Sequence, residues 1–166
     1  MDPKNFDRNF DHGSWLKRVE EELSRSKETF IGHYKRKYTG SIHFPIWMAS
    51  EVFSFGLLSL LFSNGLKLEH QKRIAKEYGL PGEVFRSWLH TLVYVRNLCA
   101  HHARFWNRDL AIKPTFPHKD PLWQDLFPIN HRRSIAVFTI SYYLLKKFNE
   151  GDVVKAPLIK LFKKLR

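Results

Sequence analysis

Residues 96–108 read RNLCAHHARFWNR and close a long helical pattern that begins near Glu83 and reaches about Phe105. Trp88, Leu92, Val95 and Cys99 recur in it every three or four positions, so the run predicts a helix with one apolar stripe. Pro81-Gly82 stands just ahead as an opening signal. The polar residues take another sector. On a helix, positions four apart share a face, so Asn97 stacks with His101 and Leu98 with His102. Arg96 precedes His101 by five residues, about 140° around the helix. Its side chain is long enough to bend toward a pocket shared with His101.

The other segments read as helical too. Ser14 reads as the cap of a helix reaching about Tyr38, striped by Trp15, Val19, Leu23, Phe30 and Tyr34. Pro45 suits the first turn of a second helix, Ile46 to Phe62, apolar nearly all round and therefore central and buried. Ser63-Asn64-Gly65 ends it. A short helix, Leu68 to Tyr78, stops at Gly79. Lys113 to Pro128 holds four prolines and predicts an irregular loop with Trp123 and Phe127 pinned to the body. A last long helix runs from His131 to Phe148, broken by Gly151. Sustained period-two alternation is missing throughout. The expected class is all-α, most simply an up-and-down bundle in one domain over 1–166. Residues 1–13 read as a loosely ordered arm and 150–166 as a basic terminal helix.

The chain has 166 residues and a formal net charge of +12, with 15% aromatic residues. Residues 67–166 hold nineteen basic and eight acidic side chains, so the positive field lies around and after the histidine motif. A field of that sign favours a polyanion: RNA or DNA first, an anionic membrane surface second. The one cysteine, Cys99, excludes an internal disulfide framework. The polar start MDPKNFDRNFDHG is no signal peptide, and the apolar run Val52 to Phe62 is too short to span a bilayer. The expectation is a cytoplasmic protein with no stable membrane insertion.

The motif residues suit phosphodiester chemistry. Histidine is the side chain that titrates nearest neutral pH, and arginine carries a permanent planar charge matched to phosphate. RNA supplies its own nucleophile, the 2′-OH. A protein cutting it then needs a base, an acid for the 5′-oxygen and positive charge on the phosphorane. Two histidines near a helix end can equally cap carbonyls or favour the dipole. Cys99, His101 and His102 lack a second ligand pair at metal spacing, so no metal centre or cofactor is expected.

The whole stretch RNLCAHHARFWNR closely resembles the signature of the abortive-infection (AbiD/AbiF-like, Abi-like) family, a branch of the HEPN ribonuclease superfamily. PIWMASEVFSFGLLSLLFSN is similar to that family's central apolar helix, and IAKEYGLPGEVFRSWLHTLVYVRN to its run into the motif. The resemblance spans about Ser14 to Tyr143 and implies the carboxy-terminal part of a longer member, or a short one. The HEPN hallmark falls on Arg96, Asn97 and His101. It implies a HEPN-type helical bundle and metal-independent cleavage of single-stranded RNA at a composite site across a homodimer. In that scheme His101 transfers protons, Arg96 stabilises phosphate, and Asn97 orients His101 or holds a phosphate oxygen. A toxin-like role in phage defence is implied, with an RNA or protein antitoxin as restraint. The rival readings are a non-catalytic RNA-binding module, a HEPN-type partner protein modified rather than cutting, and a pure dimerisation scaffold.

Several residues stand beside this core set. His102 either assists or binds RNA, or packs on Trp106. Arg104 and Arg108 either extend a phosphate track or simply solvate the surface. Cys99 lies on the apolar stripe and reads as a buried small hydrophobe rather than a nucleophile. Glu51 is the only charge in its apolar helix; burial would require a partner, either Arg96 or another basic group. The alternative is a helix face that is wet. The tail KAPLIKLFKKLR is basic and amphipathic. It suits a membrane surface or, better, a helix packed on the bundle that shows its lysines to RNA.

Overall fold

The computed structural model describes residues 3–40, 44–117 and 132–147. Trp123, Phe127, His131 and the basic tail lie outside the described residues. The chain is all-α, and its only β features among those residues are two isolated antiparallel bridges, Phe6 with Leu66 and Asp109 with Arg133. It forms two compact units, residues 1–71 and 72–166.

In the first unit, α1 (His12–Arg25) and α2 (Thr29–Lys37) replace the single helix expected over 14–38. Asp11, not Ser14, is the cap: its carboxylate accepts the Ser14 N–H at 2.9 Å. Ser26 and Glu28 are extended, which breaks the helix between the two. The helix expected over 46–62 is also divided, into α3 (Ile46–Ser50) and α4 (Phe55–Leu60), with a π-turn at Leu61–Gly65. The reason is a cap. Glu22 of α1 accepts both the Ser54 N–H at 2.6 Å and the Ser54 hydroxyl at 2.5 Å, and the Ser54 hydroxyl oxygen accepts the Leu57 N–H. A helix start fixed there cannot also be a helix interior. Nor is this stretch buried all round, because Ile46, Trp47 and Leu58 are exposed.

The unit's core gathers Trp15, Val19 and Leu23 of α1, Ile31, Ala49, Phe53, Leu57 and, from ahead of α1, Phe6. Trp15 meets Phe53 edge-on at 5.7 Å and Phe6 at 5.9 Å. The Asp7 N–H donates to the Gly65 carbonyl at 2.8 Å, which ties the first residues to the π-turn. Gln71 is buried and donates to the Ser63 and Leu66 carbonyls, satisfying acceptors that the π-turn leaves open.

In the second unit, α5 (Leu68–Glu77), which begins in the first, leads through Gly79 to α6 (Gly82–Ala100). α6 packs on α7 (Ser134–Lys147). Val84, Phe85, Trp88, Thr91 and Val95 form its buried stripe. Trp88 is fully buried, meets Tyr143 edge-on at 5.4 Å, and donates its indole N–H to the Thr115 carbonyl at 2.7 Å. The Thr115 N–H in turn donates to the Ser87 hydroxyl. Residues 113–117 are irregular as expected, and this pair of bonds pins them to α6. Truncating Trp88 to alanine would cost roughly 3–5 kcal/mol.

Candidate functional site

α6 ends at Ala100, not near Phe105, and the ending sets the geometry of the motif. His101 is the last, half-helical residue, with φ −90° and ψ 16°. His102 follows in the left-handed region at φ 53°. The His102 N–H donates to the Cys99 carbonyl and the Ala103 N–H reaches back to the Leu98 carbonyl at 3.1 Å. These two bonds make a Schellman ending, which satisfies carbonyls that the helix cannot. The local sequence holds no glycine or proline to announce the stop. Burial further along supplies it: Phe105 packs on Phe138 at 5.8 Å, and Leu110 is 1% exposed in a cluster with Val95 and Val137. A helix continued through Phe105 would carry those side chains away from that core.

The turn after α6 is tied to the start of α7. The Leu110 N–H donates to the Arg132 carbonyl at 2.7 Å, and Asp109 bridges Arg133. Asn107, left-handed at φ 52°, donates its N–H to the Ser134 hydroxyl and accepts Arg133 Nη1 at its side-chain oxygen. Asparagine tolerates this backbone better than most residues.

All the expected site residues on this segment are exposed: Arg96, Asn97, His101, His102, Arg104 and Arg108. Arg96 Nη1 donates to Asn97 Oδ1 at 3.1 Å, so the guanidinium and the amide act as a pair. Asn97 meets His101 through its backbone, where its carbonyl accepts the His101 N–H at 3.0 Å. Among the described residues no side chain hydrogen-bonds the His101 imidazole, and no ring contact joins His102 to Trp106. Arg104 Nε donates to the Trp106 carbonyl and Arg108 Nη1 to the Arg104 carbonyl. The charge around the turn is one-sided. Arg132 and Arg133 join Arg104 and Arg108 there, against Asp109, whose carboxylate lies 3.8 Å from Arg132 Nε. Sequence reasoning passed over Arg132 and Arg133, although the paired arginines ahead of an apolar helix were a visible signal.

One expectation here is overturned and another is narrowed. Cys99 is exposed rather than buried, because the stripe that holds Trp88 and Val95 has turned away from it by the last turn of α6. Glu51 is exposed, at the break after α3, which agrees with the alternative of a wet helix face, and burial gives it no need of a partner. Among the described residues, histidine, cysteine, aspartate and glutamate form no cluster able to hold a metal ion. No helix among them is long and apolar enough to cross a membrane.

Comparison with known proteins matches one family model, described as Abi-like protein, over residues 1–107. Neither the curated proteins nor the solved structures contain a match. The family match covers well over half of the chain and runs through the motif from Arg96 to Asn107, and the chain therefore belongs to the Abi-like protein family.

Proposed function

We propose that this protein is a metal-independent endoribonuclease of the HEPN type, acting on single-stranded RNA in abortive infection. One observation carries the reading. The end of α6 presents Arg96, Asn97 and His101 together on an exposed surface whose surroundings are rich in arginine. A packing motif would bury these groups; here all three are exposed, Arg96 and Asn97 are joined to each other, and the imidazole is open to a substrate.

In the proposed reaction a base removes the proton from the 2′-OH, and the 2′-oxygen attacks the adjacent phosphorus. The bond to the 5′-oxygen breaks, and an acid protonates that leaving oxygen. The products are a 2′,3′-cyclic phosphate and a 5′-OH. Arg96, steadied by Asn97, would neutralise charge on the phosphorane. One chain offers one His101 for two proton transfers. A second copy related by a two-fold axis near the end of α6 would supply the other, and two-fold dimers are the commonest oligomers. The exposed side chains beside the pair, Cys99 and Ala100, are small enough to let a second helix approach.

The test is cleavage of labelled single-stranded RNA in excess EDTA by wild type and His101→Ala, with product ends mapped. The expected result is cyclic phosphate ends from wild type alone. Equal cleavage by both proteins would remove His101 from the mechanism. Binding without cleavage by either would favour the second reading, a non-catalytic RNA-binding module. Among the described residues no side chain orients the imidazole, which speaks in its favour.

A further inference from the structure

Tryptophans fall into two sets in the described residues. Trp15 and Trp88 are 1% and 0% exposed, whereas Trp47 and Trp106 are 55% and 43% exposed. Trp106 is the unusual one, because the turn that carries it is anchored on both sides. Phe105, one residue before, packs on Phe138, and Asn107, one residue after, is held by Ser134 and Arg133. Leu110 is buried beyond. A loose surface loop lets an indole collapse onto the nearest apolar patch. This turn holds it out instead, and among the described residues no ring contact covers it. Its neighbours are cationic: Arg104 donates to its own carbonyl, and Arg108 donates to that of Arg104.

A flat, exposed aromatic ring on an anchored turn, flanked by arginines, fits an unpaired nucleic-acid strand. Bases stack on the ring, phosphates meet the guanidinium groups, and the stack is indifferent to base identity. A duplex, whose bases already stack on each other, has no such use for it. We propose that Trp106 is a base-stacking platform for single-stranded RNA, with Arg104 and Arg108 contacting the flanking phosphates. The inference rests on RNA being the substrate class and adds a subsite to the residues of the proposed cleavage.

The experiment uses the full chain and a fluorescent 2′-O-methyl oligouridylate, which binds as a single strand and cannot be cut. Affinity is measured over a salt series for wild type, Trp106→Ala, Trp106→Phe, Arg108→Ala and Trp47→Ala, each checked for its thermal midpoint. Trp106→Ala should weaken binding about tenfold with the salt dependence unchanged. Trp106→Phe should keep most of the affinity, Arg108→Ala should lower the salt slope by about one, and Trp47→Ala should match wild type. The proposal is overturned if Trp106→Ala binds like wild type, if Trp47→Ala loses as much, or if wild type does not bind. Cleavage of ordinary RNA separates the two ideas. Binding that depends on Trp106 without any cleavage sinks the nuclease and spares the platform. Cleavage with a neutral Trp106 does the reverse.

Discussion

α5 and α6 end in the same way and use different residues to do it. Each closes with two backbone bonds around a left-handed residue. In α5 the Gly79 N–H reaches Lys76 and the Leu80 N–H reaches Ala75; in α6 His102 and Ala103 make the matching bonds to Cys99 and Leu98. The left-handed residue is Gly79 at φ 69° in one and His102 at φ 53° in the other. Glycine enters that region without steric cost, whereas other residues lose about 1 kcal/mol or more. At Gly79 the reason for glycine is doubled. A Cβ there would lie 3.1 Å from the Tyr143 hydroxyl, which is itself fixed by donating to the Tyr78 carbonyl. At His102 the side chain is exposed, so the cost is backbone strain alone. One ending is optimised for packing. The other keeps a strained histidine beside His101 where glycine would be the cheaper choice, and strain retained at one place is a pointer to use.

The two helix ends should differ most in chemistry. His101→Ala should lower RNA cleavage by on the order of a hundredfold or more while the thermal midpoint stays close to wild type. If stability falls with activity, the end of α6 is a packing device like the end of α5, and the distinction between them is lost. Gly79→Ala should do the opposite, costing about 2 kcal/mol of stability through backbone strain and contact with Tyr143. Any effect on cleavage should follow the folded fraction. Denaturant melts read this directly, and an unchanged midpoint would mean that the turn relaxes freely.

His102→Gly makes the end of α6 chemically like the end of α5. It relieves the left-handed strain at an exposed site and should raise stability by about 1 kcal/mol. Loss of cleavage in this more stable protein would assign His102 a part in RNA handling. Full cleavage with the added stability would leave it as an ordinary, slightly unfavourable helix ending.

Much of this was legible in the chain, and what was not shares a physical cause. The all-α class, the stop at Gly79 and the stripe through Trp88 and Val95 are local properties of spacing and of glycine. The breaks are not local. Nothing in Ser26-Lys27-Glu28 announces the end of α1, and α4 starts at Ser54 because Glu22, far off in sequence, caps it. The end of α6 is likewise dictated by Phe105 and Leu110 reaching their core. The exposure of Cys99 escapes the sequence for the same reason, since a stripe of fixed spacing cannot reveal that the helix is about to end. The polar motif was readable as residue types at a spacing. Its pairing of Arg96 with Asn97, and the company of Arg132 and Arg133, needed the turn to be folded.

The smallest effect belongs to a third helix end, the start of α1, where the sequence pointed to Ser14 and the structure uses Asp11. The hydroxyl and backbone N–H of Ser14 hold the Asp11 carboxyl below its ordinary range. A carboxylate with a depressed folded-state pKa adds stability that is present above the unfolded value of 3.8 and lost as pH falls through the folded one. Melting curves of wild type and Asp11→Asn should therefore differ in slope on the acid side of that value and run parallel near neutrality. The amide can still accept the Ser14 N–H but does not titrate. Unlike Gly79 and His102, Asp11 is a cap whose strength depends on charge, so parallel curves down to acid pH would show that the charge on Asp11 adds nothing to the bond that caps α1.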